Sequence, residues 1–434
     1  MEKIIVLDFG SQYSHLICRR IREFSVYAEL VPYDISAEEL KKMNPKGIIF
    51  SGGPSSVYND DAPKPDEELF NFDLPLLGIC YGHQLIVNKF GGKVKRANKE
   101  YGSSLLSMNK DSELLDGIGE SIRAWMSHGD EAEEIPLDFE VIGHTENSHA
   151  AAIANTDRTI FGIQFHPEVV HTERGTDILK NFVLNVCKSK QEWTMKGFVD
   201  KTVKEISEID GNVLCGVSGG IDSTVAALLI HKAVGNRLTG VFVDNGLLRL
   251  DESKEIEDMF KNNFSLNFHR IDASEKFLSE LKGITDPEQK RKIVGEEFVR
   301  VFSDFAKEKG PFKWLAQGTL YPDVIESGVS KGPAAIIKSH HNVGGLPDWL
   351  NLKILEPLRE LYKDEVRDVA RILGVPEKLL KRHPFPGPGL SVRIIGEITP
   401  SKLAICRKAS KIVEDELWDA GVYDKVWQAY AAVG

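Results

Sequence analysis

The sequence predicts an α/β protein with two doubly wound, mainly parallel sheets in successive domains. Short apolar stretches alternate with helical patterns along most of the chain, which is typical of parallel strands connected by helices. One stretch, VLCGVSGGIDST at residues 213–224, places a glycine turn between an apolar strand and an apolar helix. The length of 434 residues suits two or three domains of ordinary size.

The composition is that of an ordinary globular protein, and it limits the classes of partner. Charged residues make up 27% and apolar residues 42% of the chain. The formal net charge of −11 argues against a general nucleic-acid-binding protein, because affinity for phosphate backbones depends on Lys and Arg. Five cysteines fit a reducing compartment. With no evident signal peptide and no long apolar run, we expect a cytoplasmic protein without membrane contact.

The first half predicts short strands at 3–9, 26–31, 47–50 and 74–79. Ligands of parallel sheets bind at the carboxyl ends of the strands, and two motifs fall there. The first, LGICYGHQ, has the G-x-C-x-G form of a nucleophile elbow, with Cys80 at the start of a helix whose dipole favours the thiolate. A buried structural cysteine is the alternative interpretation.

The second motif, GIQFHPE, places His166 at the end of a strand predicted over residues 159–165, with Glu168 close behind it. A reactive cysteine needs a base of this kind and an acid that orients the base. A structural histidine is the alternative. The strand end SGGP at 51–54 could offer backbone N–H groups to an oxyanion, although it also fits a simple strand-to-loop turn.

Together these three motifs resemble class I glutamine amidotransferases over about residues 1–190. The resemblance implies that Cys80 attacks glutamine to form a glutamyl thioester, with His166 as the base and Glu168 orienting it. The reaction would release glutamate and ammonia. The resemblance also implies that backbone N–H groups of Gly53 and Tyr81 bind the oxyanion and that Gln84 supports the glutamine site.

The glycine turn at 218–224 joins a strand predicted over 213–217 to a helix predicted over 225–234. Free backbone N–H groups at a helix N-terminus suit a phosphate. The motif SGGIDST lacks the lysine of a GxxxxGK[ST] loop and instead resembles the loop of ATP pyrophosphatases, which bind the β- and γ-phosphates of ATP. The alternative is a glycine-rich turn capped by Asp and Ser.

Further strands predicted over 238–243, 266–271 and from Trp314 complete a second doubly wound sheet with an adenylate-type site. Residues 328–350 are rich in Gly, Lys and His without periodicity, and they predict either a lid or a flexible surface loop. The adjacent pair at 340–341 lacks the spacing of metal ligands, so we expect no zinc.

Five motifs of the second half, SGGIDST, FVDNGLLR, QGTLYPDVIES, IKSHHNVGGLP and HPFPGPGL, closely resemble the GMP synthetase family. The resemblance implies an amidotransferase domain at 1–190, an ATP pyrophosphatase domain of adenine-nucleotide α-hydrolase-like fold at 191–385, and a partial α+β dimerisation domain at 386–434. It implies that ATP adenylates the C2 oxygen of xanthosine monophosphate (XMP), with Mg²⁺, and that pyrophosphate leaves. Ammonia would then displace AMP to give GMP.

The same resemblance assigns residues to ATP and XMP. Asp222 would be a Mg²⁺ ligand, Val243 and Leu247 would lie near adenine, and Lys338 would neutralise phosphate charge. The XMP contacts would be Arg291, Asp323 and Gln428. The phosphates of ATP would be bound by Ser218, Gly219, Gly220, Ile221, Asp222, Ser223 and Thr224.

The resemblance also implies homodimers, through a region that the family continues beyond the position of Gly434 and that ends in a motif for the XMP phosphate. One alternative is therefore a truncated form that keeps glutaminase activity but lacks XMP amination. A second is another adenylating amidotransferase for a different nucleotide or acid, against which IKSHHN and HPFPGPG count. A third is a silent nucleotide-sensing protein, against which the intact Cys80 and SGGIDST motifs count.

Overall fold

The computed structural model describes residues 1–326, 337–338 and 352–434. Contacts between residues divide the chain into two compact units, Met1–Thr194 and Met195–Gly434. Within the described ranges, none of the helices combines the length and the apolarity needed to cross a bilayer.

The first unit is organised around a nine-stranded sheet with the order β2-β1-β3-β4-β9-β8-β7-β5-β6. Its strands are β1 Lys3–Asp8, β2 Tyr27–Pro32, β3 Gly47–Phe50, β4 Leu76–Ile79, β5 Lys93–Met108, β6 Ser121–Glu134, β7 Phe139–His144, β8 Ala152–Asn155 and β9 Ile160–Ile163. Its helices are α1 Ser14–Arg22, α2 Ala37–Lys42, α3 Tyr81–Lys89 and α4 Gly175–Lys180, which continues into a π-helical turn at Asn181–Val186.

The first five strands of that order are parallel, and their apolar runs are buried as in strands covered on both faces. The predicted parallel α/β fold is therefore confirmed. The remaining strands are antiparallel, and β5 with β6 forms a long two-stranded ribbon that the sequence analysis did not predict. Along β6, buried residues alternate with more exposed ones, because only one face of this strand packs on the unit.

The second unit is organised around a six-stranded sheet with the order β12-β11-β10-β13-β15-β14, parallel except for β14. Its strands are β10 Val213–Gly216, β11 Leu238–Asp244, β12 Phe268–Asp272, β13 Trp314–Ala316, β14 Ile337–Lys338 and β15 Lys353–Leu355. Its helices are α5 Met195–Ser207, α6 Ile221–Val234, α7 Glu252–Asp258, α8 Ser274–Glu280, α9 Pro287–Lys309, α10 Tyr321–Glu326, α11 Lys363–Ile372, α12 Glu377–Leu380 and α13 Pro400–Asp419.

The strand order of the second sheet reverses between β10 and β13, since β11 and β12 lie on one side of β10 and the later strands lie on the other. Such a switch point leaves a crevice at the carboxyl ends of the strands, where ligands of α/β sheets bind. The SGGIDST loop follows β10 at this point, and α6 begins within it at Ile221. Residues 386–434 fall within the second unit, with α13 as their main element.

Candidate active sites

Cys80 lies in a sharp turn between β4 and α3, with φ +52° and ψ −102°. Few residues other than glycine adopt a positive φ, so the strain marks a position that the surrounding structure fixes. The turn needs its two flanking glycines. A Cβ on Gly78 would lie 2.4 Å from the carbonyl oxygen of Gly82, and a Cβ on Gly82 would lie 2.5 Å from that of Phe50.

The structure brings Cys80, His166 and Glu168 together. His166 Nδ1 lies 2.7 Å from Glu168 Oε1, and the ring also hydrogen-bonds to Cys80. Burial alone would lower the pKa of His166, but the negative charge of Glu168 and the two hydrogen bonds raise it to about 11. A histidine held by an acid beside a thiol is the arrangement that a nucleophilic cysteine needs.

The residue His166 is held in place by contacts on several sides. Its backbone N–H donates to the carbonyl oxygen of Trp125 at 3.0 Å, and its own carbonyl accepts the Thr172 hydroxyl at 2.6 Å. The same Thr172 hydroxyl accepts the Trp125 N–H at 2.9 Å. Gly52 is packed so closely that a Cβ there would lie 3.1 Å from His166 Cε1. The structure therefore holds the predicted base in one position.

A cavity of about 800 Å³ opens over Cys80 and includes Gly53, Gln84 and His166 in its wall. Gly53 lies against Phe9, where a Cβ would come within 2.6 Å of the carbonyl oxygen. Tyr81 begins α3, and the first N–H groups of a helix have no partner within it, so the Tyr81 N–H is suited to an oxyanion. Burial raises the pKa of its phenol to about 12, and the hydroxyl donates to Pro63 at 2.7 Å.

Strand β6 forms a wall of this cavity, and the sequence analysis missed it. The Ser127 carbonyl accepts the Cys80 thiol at 3.7 Å. Gln84 Nε2 donates to the carbonyl oxygen of Asp130 at 2.9 Å, so the predicted glutamine support also holds the wall. The Asp130 carboxylate accepts the Tyr58 hydroxyl at 2.7 Å. The available signal was the polar run Ser127 to Asp130 within an alternating strand, although spacing does not show its distant partners.

The cavity also contains two opposite charges. Arg96 on β5 lies opposite Asp130 on β6, and both line the cavity. Among the described residues, no ion pair joins them. A cation and an anion that face one cavity without pairing are complementary to a zwitterion.

The SGGIDST loop has a compact backbone stabilised by its own hydroxyl groups. Gly219 has φ +79°, and Ser223 Oγ accepts the Ser218 N–H at 3.1 Å. Ser218 Oγ lies 3.0 Å from Ser223 Oγ and accepts the Gly220 N–H at 3.3 Å. Thr224 Oγ1 donates to Gly220 at 2.8 Å. These residues lie at the N-terminus of α6, where a phosphate is favoured by the helix dipole.

Asp222 provides the carboxylate of this loop. Its Oδ2 lies 2.5 Å from Lys363 Nζ, whereas its Oδ1 is buried without a hydrogen-bond partner among the described residues. A buried orphan carboxylate oxygen fits a Mg²⁺ ion, which prefers one or two carboxylates together with phosphate oxygens. The described ranges contain no group of three or more His, Cys, Asp or Glu residues placed to bind a metal.

The two residues predicted near adenine lie near the end of the neighbouring strand and just after it. Val243 is near the end of β11, Leu247 lies in the next turn, and both side chains belong to the buried apolar cluster of the unit. The Leu247 carbonyl accepts the Leu390 N–H at 2.7 Å. The side chain of Lys338, predicted to meet phosphate, lies outside the described residues, although its backbone forms part of β14.

The residues predicted to contact XMP come from three separate segments. Arg291 is exposed on α9, 4.0 Å from Glu288. Asp323 Oδ2 accepts the Leu320 N–H at 2.9 Å, and Gln428 Nε2 donates to Pro384 at 2.9 Å. In the portion of the chain that the structure describes, none of the three hydrogen-bonds to another. Their common role stays a prediction.

Two family models match the chain, in the order of the two units. A model described as glutamine amidotransferase class-I matches residues 5–186, and one described as NAD synthase matches residues 193–299. A solved structure from Thermoplasma acidophilum, assigned as a GMP synthase subunit protein, is 33% identical, with a TM-score of 0.40. It covers 43% of this chain and 94% of that one.

Curated relatives match the full chain. A glutamine-hydrolysing GMP synthase from Alkaliphilus metalliredigens is 51% identical over 435 residues, covering 100% of this chain and 85% of that protein. One from Clostridium kluyveri is 52% identical with the same coverage. The family resemblance predicted from the motifs is confirmed by this identity along both units. The chain belongs to the glutamine-hydrolysing GMP synthase family.

Proposed function

We propose that this chain makes GMP from XMP, ATP and glutamine, as a ligase that forms a C–N bond with glutamine as the amide donor. The observation that carries the proposal is identity of about half over the whole chain with enzymes of that name. The Cys80 triad on one unit and the phosphate loop on the other supply the two chemistries that this reaction needs.

In the first reaction, the Cys80 thiolate attacks the amide carbon of glutamine. Backbone N–H groups of Gly53 and Tyr81 stabilise the oxyanion. Protonated His166 gives its proton to the leaving ammonia, and a glutamyl thioester remains on Cys80. Neutral His166 then removes a proton from water, which attacks the thioester and releases glutamate. Glu168 keeps the ring oriented and compensates its charge.

The cavity wall supplies a basis for choosing a free amino acid. The carboxylate of Asp130 would bind the α-ammonium group of glutamine, and the guanidinium of Arg96 would bind its α-carboxylate. The two residues are paired across β5 and β6 and line the cavity over Cys80, so the side-chain amide would extend toward Cys80. The opposed charges support recognition of the zwitterion.

In the second reaction, the residues 218–224 would bind the β- and γ-phosphates of ATP, with Asp222 holding Mg²⁺. The ion would neutralise phosphate charge as pyrophosphate leaves. Lys363 beside Asp222 adds a fixed positive charge at the loop. The C2 oxygen of XMP attacks the α-phosphorus of ATP, and ammonia then displaces AMP from C2. Adenylation is needed because an oxo group is a poor leaving group and AMP is a good one.

The finer assignments are also proposals. Val243 and Leu247 would lie beside adenine, and Arg291, Asp323 and Gln428 would contact XMP. The division of the chain between Thr194 and Met195 supports a domain boundary near residue 190. The boundary near residue 385 stays a prediction. Homodimer formation, the cytoplasmic location and the role of Lys338 stay predictions.

The test is an isotope and product assay on the 434-residue chain. With XMP, ATP, Mg²⁺ and glutamine labelled with ¹⁵N at the amide, we expect GMP carrying the label, together with equal amounts of AMP, pyrophosphate and glutamate. Glutamate without GMP would contradict the proposal and favour the alternative of a form limited to glutaminase activity. Adenylation of a different acceptor would favour another amidotransferase.

A further inference from the structure

A second buried acid–histidine pair lies beside the glutaminase cavity and has no part in the chemistry described above. Glu100 on β5 and His128 on β6 lie opposite each other, with Glu100 Oε2 3.2 Å from His128 Nε2. Their side chains are 7% and 2% exposed. A buried acid–base pair of this kind is costly to break, so its position is informative.

The surroundings of His128 exclude a role as a second catalytic base. Its Nδ1 lies 2.9 Å from the carbonyl oxygen of Asp130, which can only accept a hydrogen bond, so Nδ1 carries a proton. Its Nε2 either donates to the Glu100 carboxylate or accepts a proton that Glu100 holds. In both forms each ring nitrogen is engaged by the protein, and neither is left for substrate.

The pair instead fixes the wall formed by residues 127–130 of β6. This wall contacts the reaction centre through the Ser127 carbonyl, which accepts the Cys80 thiol at 3.7 Å. It contacts the glutamine side through Asp130, whose carbonyl accepts both His128 Nδ1 and Gln84 Nε2. His128 therefore helps to set the position of a carbonyl group that also holds Gln84.

Glu100 anchors the pair to the rest of the unit. Its Oε1 accepts the Ser104 hydroxyl at 2.5 Å and the Asn147 amide at 3.4 Å. The pairing of β5 with β6 changes register between Arg96 and Glu100, and after this irregularity Glu100 lies opposite His128. The irregularity thus lets Arg96 pair with Asp130 and Glu100 pair with His128. His128 lies two residues before Asp130 on β6 and next to Ser127, which contacts Cys80.

We propose that Glu100 and His128 are positioning residues that determine the affinity for glutamine by fixing the β6 wall, without activating Cys80. The inference rests on the proposed glutaminase reaction. Activation of the thiol comes from His166 and Glu168, which contact neither residue of the pair through a hydrogen bond in the described structure. Loss of the pair should therefore weaken glutamine binding and leave the reactivity of Cys80 toward a small alkylating agent unchanged.

The experiment uses the full chain with the single variants Glu100→Gln and His128→Gln and the double variant. Glutamate formation gives kcat and KM for glutamine, and iodoacetamide labelling of Cys80 reports thiol reactivity. We expect KM to rise about tenfold or more in each single variant, the scale for leaving a buried polar partner unsatisfied. The double variant should be no worse than the poorer single variant, because both break the same contact. His144→Gln, at the exposed end of β7, is the matched control.

A KM for glutamine within about twofold of the wild type in both folded single variants overturns the proposal. Equal loss of Cys80 labelling also overturns it, because the pair would then act on the nucleophile or on the fold. If Glu100→Gln and His128→Gln do not fold, the conservative variants Glu100→Asp and His128→Asn replace them. We expect these to raise the KM for glutamine by a smaller factor. GMP formation from ammonium by the wild-type chain is measured in parallel. If the wild type makes no GMP, the proposed overall function fails, whatever the KM values of the variants are.

Discussion

The two candidate sites of this chain are prepared in different ways. The candidate glutaminase site is a buried network in which His166 hydrogen-bonds to both Cys80 and Glu168. The nucleotide site consists of backbone N–H groups and hydroxyls at the SGGIDST loop, while its predicted XMP residues lie on separate segments. A covalent nucleophile needs its proton acceptor in place beforehand, whereas a phosphate loop is completed by the charge of its ligand.

The largest effect should come from the nucleophile. Cys80→Ala should lower glutamate formation by about 10⁴-fold or more, because no neighbouring group can replace the thiolate. Ammonium-dependent GMP formation should stay within about twofold, since the second site does not use the thiol. Cys18→Ala, a buried cysteine of α1 outside the cavity, is the control for loss of a thiol. Equal loss of both activities in Cys80→Ala would contradict two separable sites.

The next largest effect should come from the loop of the second unit, where a substitution should lower GMP formation and leave glutaminase activity in place. Asp222→Asn keeps the size of the side chain but removes the charge that contacts Lys363 and fits Mg²⁺. We expect ammonium-dependent GMP and pyrophosphate formation to fall by about 10²- to 10³-fold, the scale for losing one preorganised electrostatic group. Asp368→Asn breaks an exposed ion pair with Arg371 and serves as the control. A drop in glutaminase activity alone would reverse the assignment.

A smaller effect, with a pH signature, should come from Glu168→Gln. The pKa of His166 is raised from 6.5 to about 11, so the protonated ring stabilises the fold fully below about pH 6.5 and this contribution is lost as pH rises through about 11. Removing the carboxylate charge lowers that pKa. The alkaline limb of glutaminase activity should therefore move to lower pH, and kcat should fall about ten- to a hundredfold.

The measurement is the pH profile of glutamate formation for the wild type and for Glu168→Gln. Glu173→Gln removes an exposed carboxylate in the same region, whose Oε2 accepts the Arg123 N–H at 2.9 Å, and should leave the alkaline limb in place. An unchanged limb in Glu168→Gln would mean that Glu168 does not maintain the charge of His166.

The smallest effect should come from Arg291→Ala. Its side chain is 60% exposed and its ion pair with Glu288 is long, so the fold should not depend on it. If it contacts XMP, KM for XMP should rise about tenfold while KM for ATP stays unchanged. Arg300→Ala, on the same helix and 58% exposed, is the matched control. An equal rise of the KM for XMP in both variants would contradict the assignment of Arg291 to the XMP site.

The sequence allowed prediction of those parts of the site whose geometry is local. The spacing G-x-C-x-G indicated a strained turn because both glycines are needed by close backbone contacts, and the structure has Cys80 at φ +52° there. The strand ends at Cys80 and His166 could be expected to meet because parallel strands end at one edge of a sheet. In the structure β4 pairs with β9, with Gly78 opposite Gly162.

The β6 wall could not be predicted in the same way. Ser127, His128 and Asp130 line the cavity over Cys80 through antiparallel pairing of two long strands, and the register of that pairing includes an irregularity. No local spacing encodes such a register, which is set by tertiary contacts. The XMP residues present the same difficulty, since they come from distant segments and were assigned by resemblance alone.

The two-site reaction is tested most simply by GMP formation by the wild-type chain from XMP, ATP and Mg²⁺ with ammonium in place of glutamine. We expect GMP, AMP and pyrophosphate in equal amounts, and the same rate when the Cys80 thiol is blocked by alkylation. Glutamate formation from glutamine without any GMP from ammonium would contradict the account. In that case the chain would be a glutaminase whose second unit does not aminate XMP.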